Sequence, residues 1–287
     1  MQTIPTTPLH SDFGVEIHGL DLKEATADHL YPEIRAAFEA HSLLLFRGKD
    51  WTDEDILRFG ALFGPIENRT DGPDHVSRVS NVQDDGSVLL PDAIRLKDLK
   101  GNMLWHTDST FLPVPSLANI ITGRVVPSTG GATELVSTRA GFQRLPERLK
   151  AAAREAVMLH RLTHSRAKID PELAQAAHIT KWDGAWWRAV WPNPVSGAEA
   201  IYIASHACEI DGMETGPARA LIDEITEALT TPDAIYAHQW QVGDVLIWDE
   251  RATLHRGMPW PYQEPRELAS ICVTAGETDW LNTVRAT

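Results

Sequence analysis

The second half of the chain restricts its fold most, because its apolar residues come in many short runs rather than a few long ones. SLANIITGRVV, GGATELVS, AIYIAS, DVLIWD, ATLHRG and ELASICVTAG begin at residues 116, 130, 200, 244, 252 and 267. Gly, Pro, Asp and Asn punctuate the intervals. Short β-rich runs bounded by such turn residues read as strands. Two helical patterns interrupt them, near 138–155 and near 214–229. The second opens after IDGM and carries Ala220, Ile222, Ile225 and Leu229 toward a core. Many short strands with few helices predict a mainly β fold with flanking helices, a sandwich or barrel of the jelly-roll kind.

Upstream, Leu30, Ile34, Phe38 and His41 recur at helical spacing, predicting a helix over 27–41 that runs into a buried strand, Leu43–Phe46. WTDEDILRFGALFG reads as a second helix, with Thr52 as N-cap, Glu54 in the first turn and Gly64 at its end. Residues 66–100 are polar and predict strands separated by a long loop. The stretch 82–100 suits a lid over a bound molecule. No repeat, low-complexity tract or linker marks a boundary, so residues 1–287 are expected to form a single domain.

Charge narrows the partners. A formal net charge of −14 with 26 basic residues leaves no concentrated basic footprint for nucleic acid or for an anionic membrane surface. No apolar run approaches the roughly 20 residues of a membrane span, and the first residues lack the charged-then-apolar order of a secretory signal. Cys208 and Cys272 are the only cysteines, too few for a disulfide framework. The expectation is a cytoplasmic protein, a homo-oligomer, acting on a small anionic molecule.

Within LWHTDSTF, residues 104–111, a histidine and an aspartate stand one residue apart between apolar neighbours. On a strand, His106 and Asp108 would point to one face, because side chains alternate with period 2. A third ligand is expected from His255, which follows the turn Asp249–Glu250–Arg251 in DVLIWDERATLHRG. Two imidazoles and one carboxylate on one face of an ion make a facial triad, with open positions suited to Fe(II), O₂ and a bidentate co-substrate. Zinc accepts the same ligand types. Arg266 heads the next strand, eleven residues after His255. Its guanidinium can grip a carboxylate in a bidentate fork, either that of a bound dicarboxylate or that of neighbouring Glu264 or Glu267.

WHTDSTF, GGATE, GDVLIWDERATLHRG and PRELA, in this order, resemble the Fe(II)/2-oxoglutarate dioxygenase family that includes the taurine and 2,4-dichlorophenoxyacetate dioxygenases. The N-terminal LLLFRG and FGALFGPIE also fit, and the resemblance runs from GVEIHGLDL to about residue 275. It implies a double-stranded β-helix, a cupin-like jelly roll. It also implies His106, Asp108 and His255 as iron ligands, Thr133 and Arg266 as contacts to the distal carboxylate of 2-oxoglutarate, and Trp248 in the co-substrate pocket. Succinate and CO₂ would be released as the substrate is hydroxylated. Related halogenases lack the carboxylate ligand, which Asp108 supplies here.

Within the family, GNMLWHTDSTFLPV and AHQWQVGDVLIWDERATLHRGMPW resemble the aryloxyalkanoate branch, whose members cleave phenoxyacetates and phenoxypropionates. Hydroxylation beside the ether oxygen would give a hemiacetal that collapses to a phenol. The alternatives are the same chemistry on an alkyl sulfonate or sulfate ester or another small acid, and a non-catalytic metal-binding jelly roll. One position departs from the pattern. Several members carry a second arginine, which grips the substrate acid, where this chain has Ser270. IRLKDLKGNM offers substitutes: Lys97 first, then Arg95, with Asn102 and Met103 as further substrate contacts.

Overall fold

The computed structural model describes residues 4–68 and 75–286. Its largest element is a seven-stranded sheet ordered Thr6–Pro8, Val15–Ile17, Leu43–Phe46, Val245–Asp249, Ser116–Val125, Glu267–Thr274, Ser77–Ser80. Its ladders are antiparallel except for that between Val15–Ile17 and Leu43–Phe46. A three-stranded sheet of Tyr236–His238, Thr133–Ser137 and Thr253–Gly257 lies opposite. Leu135 of this sheet packs with Leu45, Ile121, Leu246, Trp248 and Leu268 of the larger one. This is the jelly roll that the short strand-like runs predicted.

Double-sided burial explains why LLLF and VLIW do not alternate with polar residues. Leu44, Phe46, Val245 and Ile247 face outward onto helices. Leu43, Leu45, Leu246 and Trp248 face the opposing sheet. A strand covered on both faces has no position for a polar side chain. The outer cover includes the helix Asp53–Phe63, which lies close enough that a Cβ on Gly60 would stand 2.2 Å from Ile271 Cδ1. A further sheet of Ala207–Ile210, Val157–His160 and Ala185–Arg188 extends the other flank. The helix Thr215–Leu229 packs on it through Ala218, Ile222, Ile225 and Leu229. Ala218, not Ala220, opens that apolar face.

Several boundaries differ from the sequence reading. The first helix is Tyr31–His41 rather than 27–41. Pro32 fits a first turn but would remove an internal hydrogen bond from a helix begun at 27. Thr52 does cap the second helix, and its reciprocal partner in the capping box is Asp55. The helix expected over 138–155 is two, Thr138–Arg144 and Glu147–Glu155, separated at Pro146. The polar stretch 82–100 is not all loop, because Ile94–Gly101 is helical. Among the described residues, no helix is long and apolar enough to cross a membrane.

Candidate active site

The segment bearing His106 and Asp108 is not the continuous strand expected from its spacing. His106 pairs with His255 through a two-way backbone bridge, His106 N–H to His255 O at 3.0 Å and His255 N–H to His106 O at 2.9 Å. The chain then turns, with Ser109 at φ 58°. The buried hydroxyl of Thr107 bonds the carbonyls of Ile203 and Thr253, both at 3.0 Å. These bonds draw the segment off a straight ladder and swing Asp108 toward the two histidines. One ligand atom from each of His106, Asp108 and His255 then lies within 4.8 Å of the others.

The donors are set for a cation. His106 Nδ1 lies 2.7 Å from the Leu104 carbonyl, which requires the proton on Nδ1 and leaves Nε2 with its lone pair facing the site. Nε2 of His106 stands 3.8 Å from Asp108 Oδ1, and Nε2 of His255 stands 3.9 Å from Asp108 Oδ2. The carboxylate of Asp108 accepts from Asn119 Nδ2 at 2.7 Å and from Cys272 Sγ at 3.5 Å. Its backbone N–H donates to the fully buried Glu250 at 2.9 Å. Glu250 also accepts from Trp248 Nε1 at 2.7 Å, and Trp248 packs on the His255 ring with centroids 4.7 Å apart. A buried set of two imidazoles and one carboxylate fits a divalent metal with open positions. It is the only such cluster among the described residues.

A cavity of about 310 Å³ opens from these three residues and is also lined by Thr133, Trp248, Arg266, Asn102, Met103 and Ser270. Arg266 is 3% exposed and lies over the Trp260 ring, and burial lowers its pKa to about 10. Its Nε and Nη2 donate to Gly131 O at 3.2 and 2.9 Å. Neither neighbouring glutamate takes it. Glu264 accepts from the backbone and hydroxyl of Ser128, and Glu267 lies beside Arg78. A guanidinium has five N–H donors, so after Gly131 is served a fork remains for an outside anion. Thr133 Oγ1 accepts from Trp240 Nε1 at 3.0 Å, which turns the hydroxyl hydrogen elsewhere.

The substrate candidates divide. Asn102 and Met103 line the cavity, whereas Lys97 and Arg95 do not. The Lys97 ammonium instead reaches Asp170 Oδ2 at 2.6 Å. Its helix turns Asp98 and Leu99 to the cavity, and at 3.6 residues per turn the side before them faces away. Ser270 donates to Asn119 Oδ1 at 2.8 Å and so serves the amide that holds Asp108. Arg166, His206 and Trp182 also line the cavity and had no sequence signal, whereas Phe111 was one of the apolar neighbours within LWHTDSTF. Asn119 had one, being an amide inside the apolar run SLANIIT, and Glu250 sits within the DERATLH motif itself.

Residues 5–272 match the model of the taurine catabolism dioxygenase TauD, TfdA family. The chain is 31% identical to an (S)-phenoxypropionate/alpha-ketoglutarate-dioxygenase of Delftia acidovorans, with 93% of each chain covered. It is 30% identical to an alpha-ketoglutarate-dependent 2,4-dichlorophenoxyacetate dioxygenase of Cupriavidus pinatubonensis, covering 93% of this chain and 96% of that one. The solved structure of AAD-2 in complex with Mn(II) and N-oxalylglycine superposes with a TM-score of 0.90 at 30% identity, covering 96% of this chain and 99% of that one. The short-strand architecture, the buried triad and the similarity along the whole chain converge: this protein belongs to the TauD/TfdA family and is an Fe(II)- and 2-oxoglutarate-dependent dioxygenase.

Proposed function

We propose that the enzyme hydroxylates the ether-bearing carbon of an aryloxyalkanoate. The resulting hemiacetal loses the aryl–oxygen group as a phenol and leaves a 2-oxo acid, while 2-oxoglutarate and O₂ go to succinate and CO₂. The observation that carries this reading is the cavity wall. Beyond the triad and the Arg266 fork, Phe111, Leu112, Leu162, Ile179 and Trp182 supply apolar and aromatic surface of the size of an aryl ring. The named activities of the similar Delftia and Cupriavidus enzymes support it.

In this reading His106, Asp108 and His255 hold Fe(II), which with 2-oxoglutarate and O₂ supplies the oxidising power for an unreactive C–H bond. Arg266 fixes the distal carboxylate of 2-oxoglutarate with help from the Thr133 hydroxyl. Trp248 forms the adjoining wall and braces His255. His106, its Nδ1–H held by the Leu104 carbonyl, turns Nε2 toward the metal. Asn102 and Met103 line the substrate side. The segment 82–100 serves as a lid, since Asp98 and Leu99 reach the cavity while Leu90 and Ile94 stay exposed.

The test is a substrate panel with Fe(II), 2-oxoglutarate and air. Phenol release in step with succinate from phenoxyacetates or phenoxypropionates is expected. Sulfite from alkyl sulfonates or sulfate from sulfate esters, without phenol from the phenoxy acids, would replace this reading with the alternative chemistry. Single-domain organisation, homo-oligomeric assembly and a cytoplasmic location belong to the same proposal. Cys208 and Cys272, both buried and outside any disulfide among the described residues, and exposed Val195 and Val242 support it. Light scattering of the purified enzyme tests the assembly.

A further inference from the structure

We infer that Arg166 is the residue that holds the acid group of the substrate and so sets its specificity. This rests on the aryloxyalkanoate reading above and supplies the cation that Ser270 and Lys97 do not. In an aryloxyalkanoate the carbon to be hydroxylated is bonded directly to the carboxylate. Its anchor must therefore lie close to the metal ligands, not at the rim.

Arg166 lines the cavity into which the triad opens, and a chain of contacts links the two. The His106 and His206 rings lie 6.3 Å apart. His206 Nδ1 is 2.8 Å from the hydroxyl of Ser165, the residue before Arg166. The residue is 9% exposed and lines the same cavity as the triad. Phe111, edge-on to His206 at 5.3 Å and 6.1 Å from Trp182, places aromatic surface beside it.

The guanidinium is held, with donors to spare. Its Nε donates to Asp98 Oδ1 at 2.7 Å, and Nη1 reaches Ser165 Oγ at 3.5 Å. Nη2 has no hydrogen-bond partner among the described residues. Asp98 thus fixes one edge of the plane and leaves the other for a second carboxylate, a use of the fork that lysine cannot copy. The fold makes room for it. A Cβ on Gly101 would stand 2.6 Å from Nη1 and 2.7 Å from Cζ, so any larger residue there would displace the guanidinium.

The experiment compares steady-state kinetics of the wild type, Arg166→Gln, Arg166→Lys and Lys97→Ala on a phenoxypropionate and on its uncharged primary amide. Arg166→Gln is expected to raise KM for the acid about 10- to 100-fold, as loss of a charge-assisted hydrogen bond does. KM for the amide and for 2-oxoglutarate should stay within about threefold of wild type. Arg166→Lys should fall between, and it carries the test if the glutamine variant does not fold. Lys97→Ala should match the wild type. An unchanged preference for acid over amide in both Arg166 variants overturns the assignment, as does an acid-specific rise in KM in Lys97→Ala alone. An equal loss on acid and amide would mean that Arg166 only supports the cavity wall, which also overturns it. If the wild type itself releases no phenol from any phenoxy acid, the substrate reading has failed, a result distinct from any behaviour of the variants.

Discussion

Replacing Gly131 with alanine adds one methyl group at the point where the chain grips Arg266, and its effects can be separated. Gly131 has φ +68°, and its new Cβ would stand 3.0 Å from Arg266 Nε, 3.2 Å from Arg266 Cδ and 3.1 Å from Pro127 Cγ. The left-handed backbone costs a residue with a Cβ about 1–2 kcal/mol, which for a chain of this size lowers Tm by about 2–6 °C. The contact adds a second, local effect. The guanidinium must retreat by a few tenths of an ångström from the Gly131 carbonyl that orients it. A fork so displaced keeps one of its two bonds to the distal carboxylate of 2-oxoglutarate, a loss of about 1.5 kcal/mol. KM for 2-oxoglutarate should then rise about tenfold, with little change in KM for the aryloxy substrate. Gly197→Ala is the control. Gly197 has φ +71° and nothing within 4 Å of its Cβ position, so it carries the backbone cost without the contact. Succinate formation against 2-oxoglutarate concentration, with thermal unfolding of both variants, reads the two effects separately. If Gly131→Ala lowers Tm but leaves KM for 2-oxoglutarate within twofold, the close approach does not orient Arg266 and the reasoning fails.

The other predictions address the metal site and the interior. Asp108→Ala and His255→Ala should each abolish Fe(II)-dependent succinate formation, and retained turnover in either would place the metal donors elsewhere. Glu250→Ala removes the acceptor for the Asp108 backbone and the Trp248 indole, and should weaken Fe(II) binding about 10- to 100-fold in an anaerobic titration with 2-oxoglutarate. Unchanged affinity would assign the positioning of Asp108 to Asn119 and Cys272 instead. Acid should destabilise the protein through His160, whose two buried ring nitrogens have no hydrogen-bond partner among the described residues and whose pKa burial lowers from 6.5 to about 3. The unfolded chain takes up this proton first, so the stability is intact above pH 6.5 and is lost as pH falls toward 3. One such group contributes a slope of about 1.4 kcal/mol per pH unit. His160→Leu should reduce the slope of urea-unfolding stability by about that amount between pH 6 and 4.5, and an unaltered slope would locate the acid sensitivity elsewhere.

The cluster proposed to hold the metal was legible in the chain because its spacing is local. His106 and Asp108 are separated by a single residue, and His255 closes a strand–turn–strand motif. Their geometry was not. The expected strand face gave way to a turn, since the Thr107 hydroxyl finds the carbonyls of Ile203 and Thr253, residues remote in sequence. The guanidinium of Arg266 shows the same division. Its place at the head of a strand could be read, whereas its freedom from Glu264 and Glu267 depends on Ser128 and Arg78 engaging those carboxylates.

By itself the sequence determined the strands, since apolar runs as short as LLLF and VLIW, rich in β-formers or bounded by turn residues, are too short for a buried helix and read as strands covered on both faces. It determined the cap at Thr52 as well, because a cap acts on the backbone within a turn, whereas the boundaries at Pro32 and Pro146 were passed over in favour of the apolar spacing. Only the tertiary structure decided which charges face the cavity. Lys97 stands one position before Asp98, yet the helix Ile94–Gly101 sends one to Asp170 outside the cavity and the other to Arg166 within it. Which way a charged side chain turns depends on the partner that another part of the chain brings to it, and that pairing exists only once the sheets have closed.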